Sequence, residues 1–244
     1  SGPALTIWSW NFDDPASGIN NTSNTQHPMH AFTAGGTYNV FLQVTNANGC
    51  IDSMRKPVSV NPVPVAIFSA DTACVGSPTQ FTDASTSPSG TVTAWSWDFG
   101  DPSSGSNNFS TLQNPTHTYL TTGTYAVTLQ VSNSHQCVKD TVVQVVAYPK
   151  PTAMFQYEAA CINDSTQFTD FSVAPGSQVI GWFWDFGDGT GTATIQNPKY
   201  LYTTPGTYEV KLVVTNLTGC TDSVTIPVIA RQVPVAQYSY MSFF

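Results

Sequence analysis

Three stretches decide the reading of this chain: Trp8-Ser9-Trp10-Asn11-Phe12-Asp13-Asp14, Trp95-Ser96-Trp97-Asp98-Phe99-Gly100-Asp101 and Trp182-Phe183-Trp184-Asp185-Phe186-Gly187-Asp188. Trp10, Trp97 and Trp184 stand 87 residues apart at each step. Self-similarity at a fixed period marks a repeat array. Within one stretch Trp95, Trp97 and Phe99 alternate, so they share one face of a strand. That face is expected to be core. The rival reading is an exposed aromatic platform for sugars.

A second block follows each time: Gly36-Thr37-Tyr38, Gly123-Thr124-Tyr125 and Gly206-Thr207-Tyr208. Each leads into an alternating strand, Val40 to Val44, Val127 to Val131 and Val210 to Val214. The Tyr of each block is expected at a tyrosine corner, its hydroxyl bonded to the backbone, or packed simply in the core. The third repeat is four residues shorter before Gln196-Asn197-Pro198. Surface loops tolerate such deletions, so that interval reads as a loop. Prolines punctuate the joints at Pro62, Pro64, Pro149, Pro151 and Pro234 and stiffen them. The expected layout is 1–61, a repeat lacking its first strands, then complete repeats at 62–148 and 149–231. Residues 232–244 would begin the first strand of a further repeat, because Pro234-Val235-Ala236 matches Pro64-Val65-Ala66. The phase suggests a window cut from a longer array.

Composition agrees. Of 244 residues, 33 are Thr and 24 are Val, while Leu occurs eight times and Glu twice. Long amphipathic helices need Leu, Glu, Lys and Ala, whereas Thr, Val and aromatics suit strands. The fold class is therefore all-β, and each repeat has the size of a small sandwich. Only 9% of residues are charged and the net charge is −8. Seven basic residues neutralise phosphates poorly, which argues against nucleic acid and anionic membrane surfaces as partners. No apolar run approaches the roughly 20 residues that cross a bilayer.

The five cysteines fall on two repeat positions: Cys74 and Cys161 on one, Cys50, Cys137 and Cys220 on the other. The spacing predicts two disulfides within repeats, Cys74–Cys137 and Cys161–Cys220, with Cys50 paired to a cysteine upstream of Ser1. Closing such a loop of roughly 60 residues is worth a few kcal/mol in the chain-entropy model. The alternative is buried thiols. Zinc spacings such as CxxC are absent. Disulfides imply an extracellular location.

Asp98 with Asp101, and Asp185 with Asp188, cluster in Gly-containing turns. They are candidate calcium ligands, set against the ordinary habit of Asp bonding its own backbone in turns. No other cofactor is implied. His30 and His117 share a repeat position that Tyr200 fills in the third repeat, which argues against a catalytic base or metal ligand there. No GxSxG, HExxH or phosphate-cradling loop occurs. The expectation is a chain without catalytic residues.

Trp-Asp-Phe-Gly-Asp-Gly from Trp184 to Gly189, then Asn197-Pro198, then Tyr202 through Pro205-Gly206-Thr207-Tyr208, resembles the polycystic-kidney-disease (PKD) repeat. The resemblance covers both complete repeats and the later part of the first. It implies tandem immunoglobulin-like β-sandwiches in an extended rod, used as an extracellular spacer or adhesion module. The stretch Thr215-Asn216-Leu217-Thr218-Gly219-Cys220-Thr221-Asp222-Ser223 resembles the long surface adhesins of gliding Bacteroidota-type bacteria. Asn11-Phe12-Asp13-Asp14 departs by losing the turn glycine. Ser53, Thr72, Thr141, Ser165 and Ser223 each follow an Asp, which resembles the O-glycan acceptor motif of Bacteroidota. Sequons at Asn20, Asn21, Asn108, Asn163 and Asn216 would matter only in a eukaryotic secretory pathway.

These readings point to a non-enzymatic stalk or filament segment of a large cell-surface adhesin, with a role in gliding motility as its narrower form. Its partners would be neighbouring repeats, surface polysaccharide or other cell-surface proteins, with filament assembly included. The alternatives are a carbohydrate- or protein-binding module and a spacer of a secreted multidomain enzyme.

Overall fold

A computed structural model describes residues 4–159 and 161–238. The chain is all-β. The first repeat carries β1 (Leu5–Asn11), β2 (Thr22–Ser23), β3 (Gly36–Asn46) and β4 (Ile51–Val60). The second carries β5 (Phe68–Ala70), β6 (Ala73–Cys74), β7 (Pro78–Asp83), β8 (Val92–Asp98), β9 (Phe109–Ser110), β10 (Thr116–Thr118), β11 (Gly123–Asn133) and β12 (Val138–Tyr148). The third carries β13 (Phe155–Glu158), β14 (Ser165–Asp170), β15 (Val179–Asp185), β16 (Thr192–Ala193), β17 (Lys199–Leu201), β18 (Gly206–Asn216) and β19 (Thr221–Ala230). Contacts divide the chain into two compact units. One comprises residues 1–69, 81–115 and 127–143, the other 70–80, 116–126 and 144–244.

The second unit contains the whole third repeat, which shows the sandwich most clearly. One sheet runs β13-β14-β17 and the other β16-β15-β18-β19. Alternation decides which side chains go inside. Val210, Leu212 and Val214 of β18 are fully buried, and Trp184 of β15 and Phe186 just past its end extend the same core. Phe155 and Phe168 of the opposite sheet meet Trp184 with ring centroids 5.1 and 5.6 Å away. Aromatic pairs in this range add about 0.5–1.5 kcal/mol beyond their burial. The aromatic strand is therefore core, not a sugar platform.

In the first unit the same device recurs. Phe68, Phe81, Trp97 and Phe99 pack together, with Phe68 edge-on to Trp97 at 5.0 Å. The first repeat forms one four-stranded sheet, β2-β1-β3-β4. Residues 232–238 join no sheet. A strand needs a partner, and the counterpart β5 has one in β7. Residues 239–244 of the expected further strand lie outside the described residues.

The outer tryptophan of each motif is only half-buried, and in the second and third repeats its indole N–H explains why. Trp95 donates to Asp83 Oδ2 at 2.8 Å and Trp182 to Asp170 Oδ2 at 2.7 Å. Gln113 and Gln196 donate to the same carboxylates, and Asn114 and Asn197 side chains receive the Asp83 and Asp170 amides. The Gln-Asn-Pro block is thus the lock of a loop onto the β7 and β14 strand ends. The three block tyrosines make the same bond: Tyr38, Tyr125 and Tyr208 hydroxyls donate to the carbonyls of Ala34, Thr121 and Thr204, at 2.8–2.9 Å. They are tyrosine corners.

The interval expected to be a loop is a kinked 3-10 segment in two repeats, Pro15–Asn21 and Pro102–Asn108. In the third it shrinks to the turn that Asp188 closes by accepting the Thr190 and Gly191 amides.

Candidate functional site

The feature that sequence reasoning placed wrongly is the most informative one. Cys74 is bonded to Cys220, across 146 residues and with 5.7 Å between Cα atoms. The bond lies inside the second unit and joins the second repeat to the third. The expected pairs Cys74–Cys137 and Cys161–Cys220 are not formed. Cys50, Cys137 and Cys161 are free.

Strand geometry supplies the reason. Cys161 pairs in parallel with Arg231, just past the end of β19, whereas Cys220 stands immediately before its first residue. Ten residues at about 3.3 Å each put roughly 33 Å between those points. A disulfide tolerates at most about 7 Å between Cα atoms. Cys74 has the same layout, paired with Tyr148 at the end of β12, while Cys137 precedes Val138. One cysteine of each repeat marks its exit end and the other its leading end.

The leading-end cysteine is positioned by an asparagine four residues earlier. The Asn216 side chain is fully buried; its Oδ1 accepts the amides of Thr218 and Cys220 at 3.2 and 2.9 Å and the Thr218 hydroxyl at 2.8 Å. Its Nδ2 donates to Pro149 O, in the joint, at 3.1 Å. Asn133 repeats this in the first unit, accepting from Cys137 N at 3.0 Å and donating to Pro62 O at 3.3 Å. Asn46 accepts from Cys50 N at 3.0 Å. One side chain therefore shapes the hairpin, aims the cysteine and ties the proline joint. Asp222 adds a bond at the third repeat, accepting the Ala153 amide at 2.9 Å. The Asn recurs at one repeat position, a signal that was present in the sequence and unused.

The carboxylates proposed for calcium are engaged locally. Asp98 accepts from Gly100 N and Asn108 Nδ2, at 2.9 and 2.8 Å, and Asp185 from Gly187 N at 2.9 Å. Asp101 accepts the Ser103 hydroxyl. Asp188 receives the Tyr200 hydroxyl as well as its turn amides, and these hydrogen bonds hold its carboxyl below the usual range. Asp14, the counterpart in the first repeat, is bonded by Thr33 and by His30 Nε2 at 3.1 Å. The Thr33 side-chain hydrogen bond lowers its pKa most. His30 and Tyr200 thus do the same task, presenting a donor to the same Asp, which is why one replaces the other. Among the described residues no group of three or more His, Cys, Asp or Glu is placed to hold a metal.

Where the turn glycine is lost, Asp13 takes its left-handed conformation at φ 62°, against 68° and 77° for Gly100 and Gly187. Its carboxylate accepts the Asn39 amide at 2.9 Å. Of the five Asp-following hydroxyls, Ser53, Thr72, Ser165 and Ser223 are exposed and Thr141 is half-buried. The sequon residues Asn108 and Asn216 are buried.

No helix among the described residues is long and apolar enough to cross a membrane. The PKD domain family model matches three successive spans, residues 1–61, 59–148 and 146–229. Collagenase ColA of Bacillus cereus is 32% identical over 129 residues, covering 50% of this chain and 13% of that protein. The PKD1 domain of the Vibrio cholerae metalloprotease PrtV is 28% identical, covering 34% of this chain and 99% of that domain at a TM-score of 0.32. The PKD1 domain of Vibrio anguillarum Epp is 26% identical over 34% of this chain and 96% of that domain, at 0.33. Three matched spans, a repeated sandwich core and three tyrosine corners lead to one conclusion: the chain belongs to the PKD domain family.

Proposed function

We propose that this chain is a non-catalytic extracellular structural module, a stalk or filament segment of a large cell-surface adhesin, with gliding motility as the setting its sequence style suggests. The observation that carries this reading is the Cys74–Cys220 bond between successive repeats. A covalent tie across a joint resists separation of neighbouring sandwiches, which a connector under tension requires. Disulfides persist in oxidising surroundings outside the cell. The Asn-to-proline bonds and the short joints act in the same direction. Surface polysaccharide, other surface proteins and filament assembly are the partners this role would bring, and calcium is not required by it.

The likeness to a collagenase and to a metalloprotease domain favours a second reading, a spacer of a secreted multidomain enzyme. Pulling the chain from its two ends tests the structural role. With the bond intact, full extension should fall short of that of Cys74→Ser by about 500 Å, the length of the 146 bridged residues at roughly 3.4 Å each. Equal extensions would overturn the mechanical role. Retention of the isolated chain on collagen or polysaccharide would replace it with a binding role.

A further inference from the structure

The bonded pair, Cys74 and Cys220, occupies two repeat positions whose other members, Cys161, Cys137 and Cys50, are thiols. The backbone surroundings of Cys161 match those of Cys74 bond for bond. At Cys74, Val75 N donates to Tyr148 O at 2.9 Å, Ser77 N to Cys74 O at 2.9 Å and Gly76 N to Tyr119 O at 2.8 Å. At Cys161, Ile162 N donates to Arg231 O at 2.8 Å, Asp164 N to Cys161 O at 3.0 Å and Asn163 N to Tyr202 O at 3.1 Å. The same parallel pairing holds both residues at the exit end. Cys161 is exposed there.

At the leading end, Asn133 holds Cys137 as Asn216 holds Cys220. The Cys137 sulfur lies 3.8 Å from Asn61 O. Asn61 is the counterpart of Tyr148, so this thiol already stands at the exit end of the repeat before it.

We propose that Cys161 is an attachment site for a further repeat of this kind following Arg231, whose leading-end cysteine it takes in a disulfide. By the same rule Cys137 and Cys50 take the exit-end cysteine of a repeat preceding their own. The array is then stapled at each joint by one bond between neighbours. A low-molecular-weight disulfide such as oxidised glutathione supplies the oxidation. The leading-end thiolate first forms a mixed disulfide, releasing one glutathione. The Cys161 thiolate then attacks the protein sulfur, the glutathionyl bond breaks and the second glutathione leaves. Two thiols and one small disulfide become one protein disulfide and two small thiols.

The test extends the chain from Arg231 with a second copy of residues 149–231 in which Cys161→Ser removes the copy's own exit-end thiol and Thr221→Ser marks its Cys220 peptide by mass. The product is oxidised in a glutathione buffer, alkylated and mapped by mass spectrometry. The expected result is a peptide linking Cys161 to the appended copy of Cys220, with Cys74–Cys220 retained and alkylation of Cys161 lost. Cys161→Ser in the original repeat as well should return the appended cysteine to the alkylatable pool. In the unextended chain Cys50, Cys137 and Cys161 should all alkylate. A Cys161 that still alkylates in the extended chain overturns the proposal. So does a bond from Cys161 to Cys220 of its own repeat, or a disulfide-linked dimer through Cys161 in place of the internal bond. The mapping reads bond formation alone, so its failure is distinct from a failure of the mechanical role.

Discussion

Asn216→Ala removes the side chain that sets the joint, and its cost follows from the bonds it makes. The buried carboxamide is the partner of the Cys220 amide and of the Pro149 carbonyl, and it also receives Thr218. Thr218 can turn to water. The Cys220 amide and Pro149 carbonyl have no such freedom beside a cysteine that is fully buried. Each buried polar group left unpaired costs about 1–3 kcal/mol. For these two groups the expected loss is about 2–6 kcal/mol, a large part of the roughly 5–15 kcal/mol that holds a domain folded. The assay is hydrogen exchange of β18 and β19 peptides across a urea series, with the disulfide intact. Asn24→Ala, at an exposed site, is the control and should stay within about 0.5 kcal/mol. A loss at Asn216 no larger than that at Asn24 would refute the account of the joint.

Gly187→Ala should destabilise the third repeat by at least the roughly 1–3 kcal/mol of a strained left-handed residue, because its φ is 77° and a Cβ would meet Glu209 O at 2.7 Å; an unchanged urea midpoint would refute this. Asp188 predicts an acid dependence: its depressed folded-state pKa supplies stability that is present above the unfolded value of about 4 and lost as pH falls through the folded one. Tyr200→Phe should therefore shrink the stability difference between neutral and acid pH, measured by urea midpoints at each pH, and an unchanged difference would count against the hydrogen bond as its cause.

Much of the fold is legible in the sequence because its elements are local. The Trp-x-Trp-x-Phe alternation sets one face of a strand whatever surrounds it, and the Gly-Thr-Tyr block carries its own corner four residues away. The disulfide is not local. Pairing within repeats would join four of the five cysteines and leave Cys50, whereas pairing between neighbours joins two and leaves Cys50, Cys137 and Cys161; the repeat spacing alone permits both. The parallel bridges of Cys74 to Tyr148 and of Cys161 to Arg231, which no periodicity announces, show that the two cysteine positions lie at opposite ends of a long strand. The missing turn glycine misled less than it threatened, since Asp13 holds the left-handed backbone and replaces the lost close approach with a hydrogen bond to Asn39. His30 and Tyr200 show the converse: two side chains with unlike chemistry serve one hydrogen bond to an Asp.

The bond between Cys74 and Cys220 also turns the chain between them into a covalent ring. The exposed turns a protease would choose, such as Pro102–Asn108 and the loop after Asp188, lie within that ring. A single backbone cut there opens the ring and severs nothing: both ends stay attached through sulfur. Shedding everything beyond the cut then requires a second event, reduction of the Cys74–Cys220 bond.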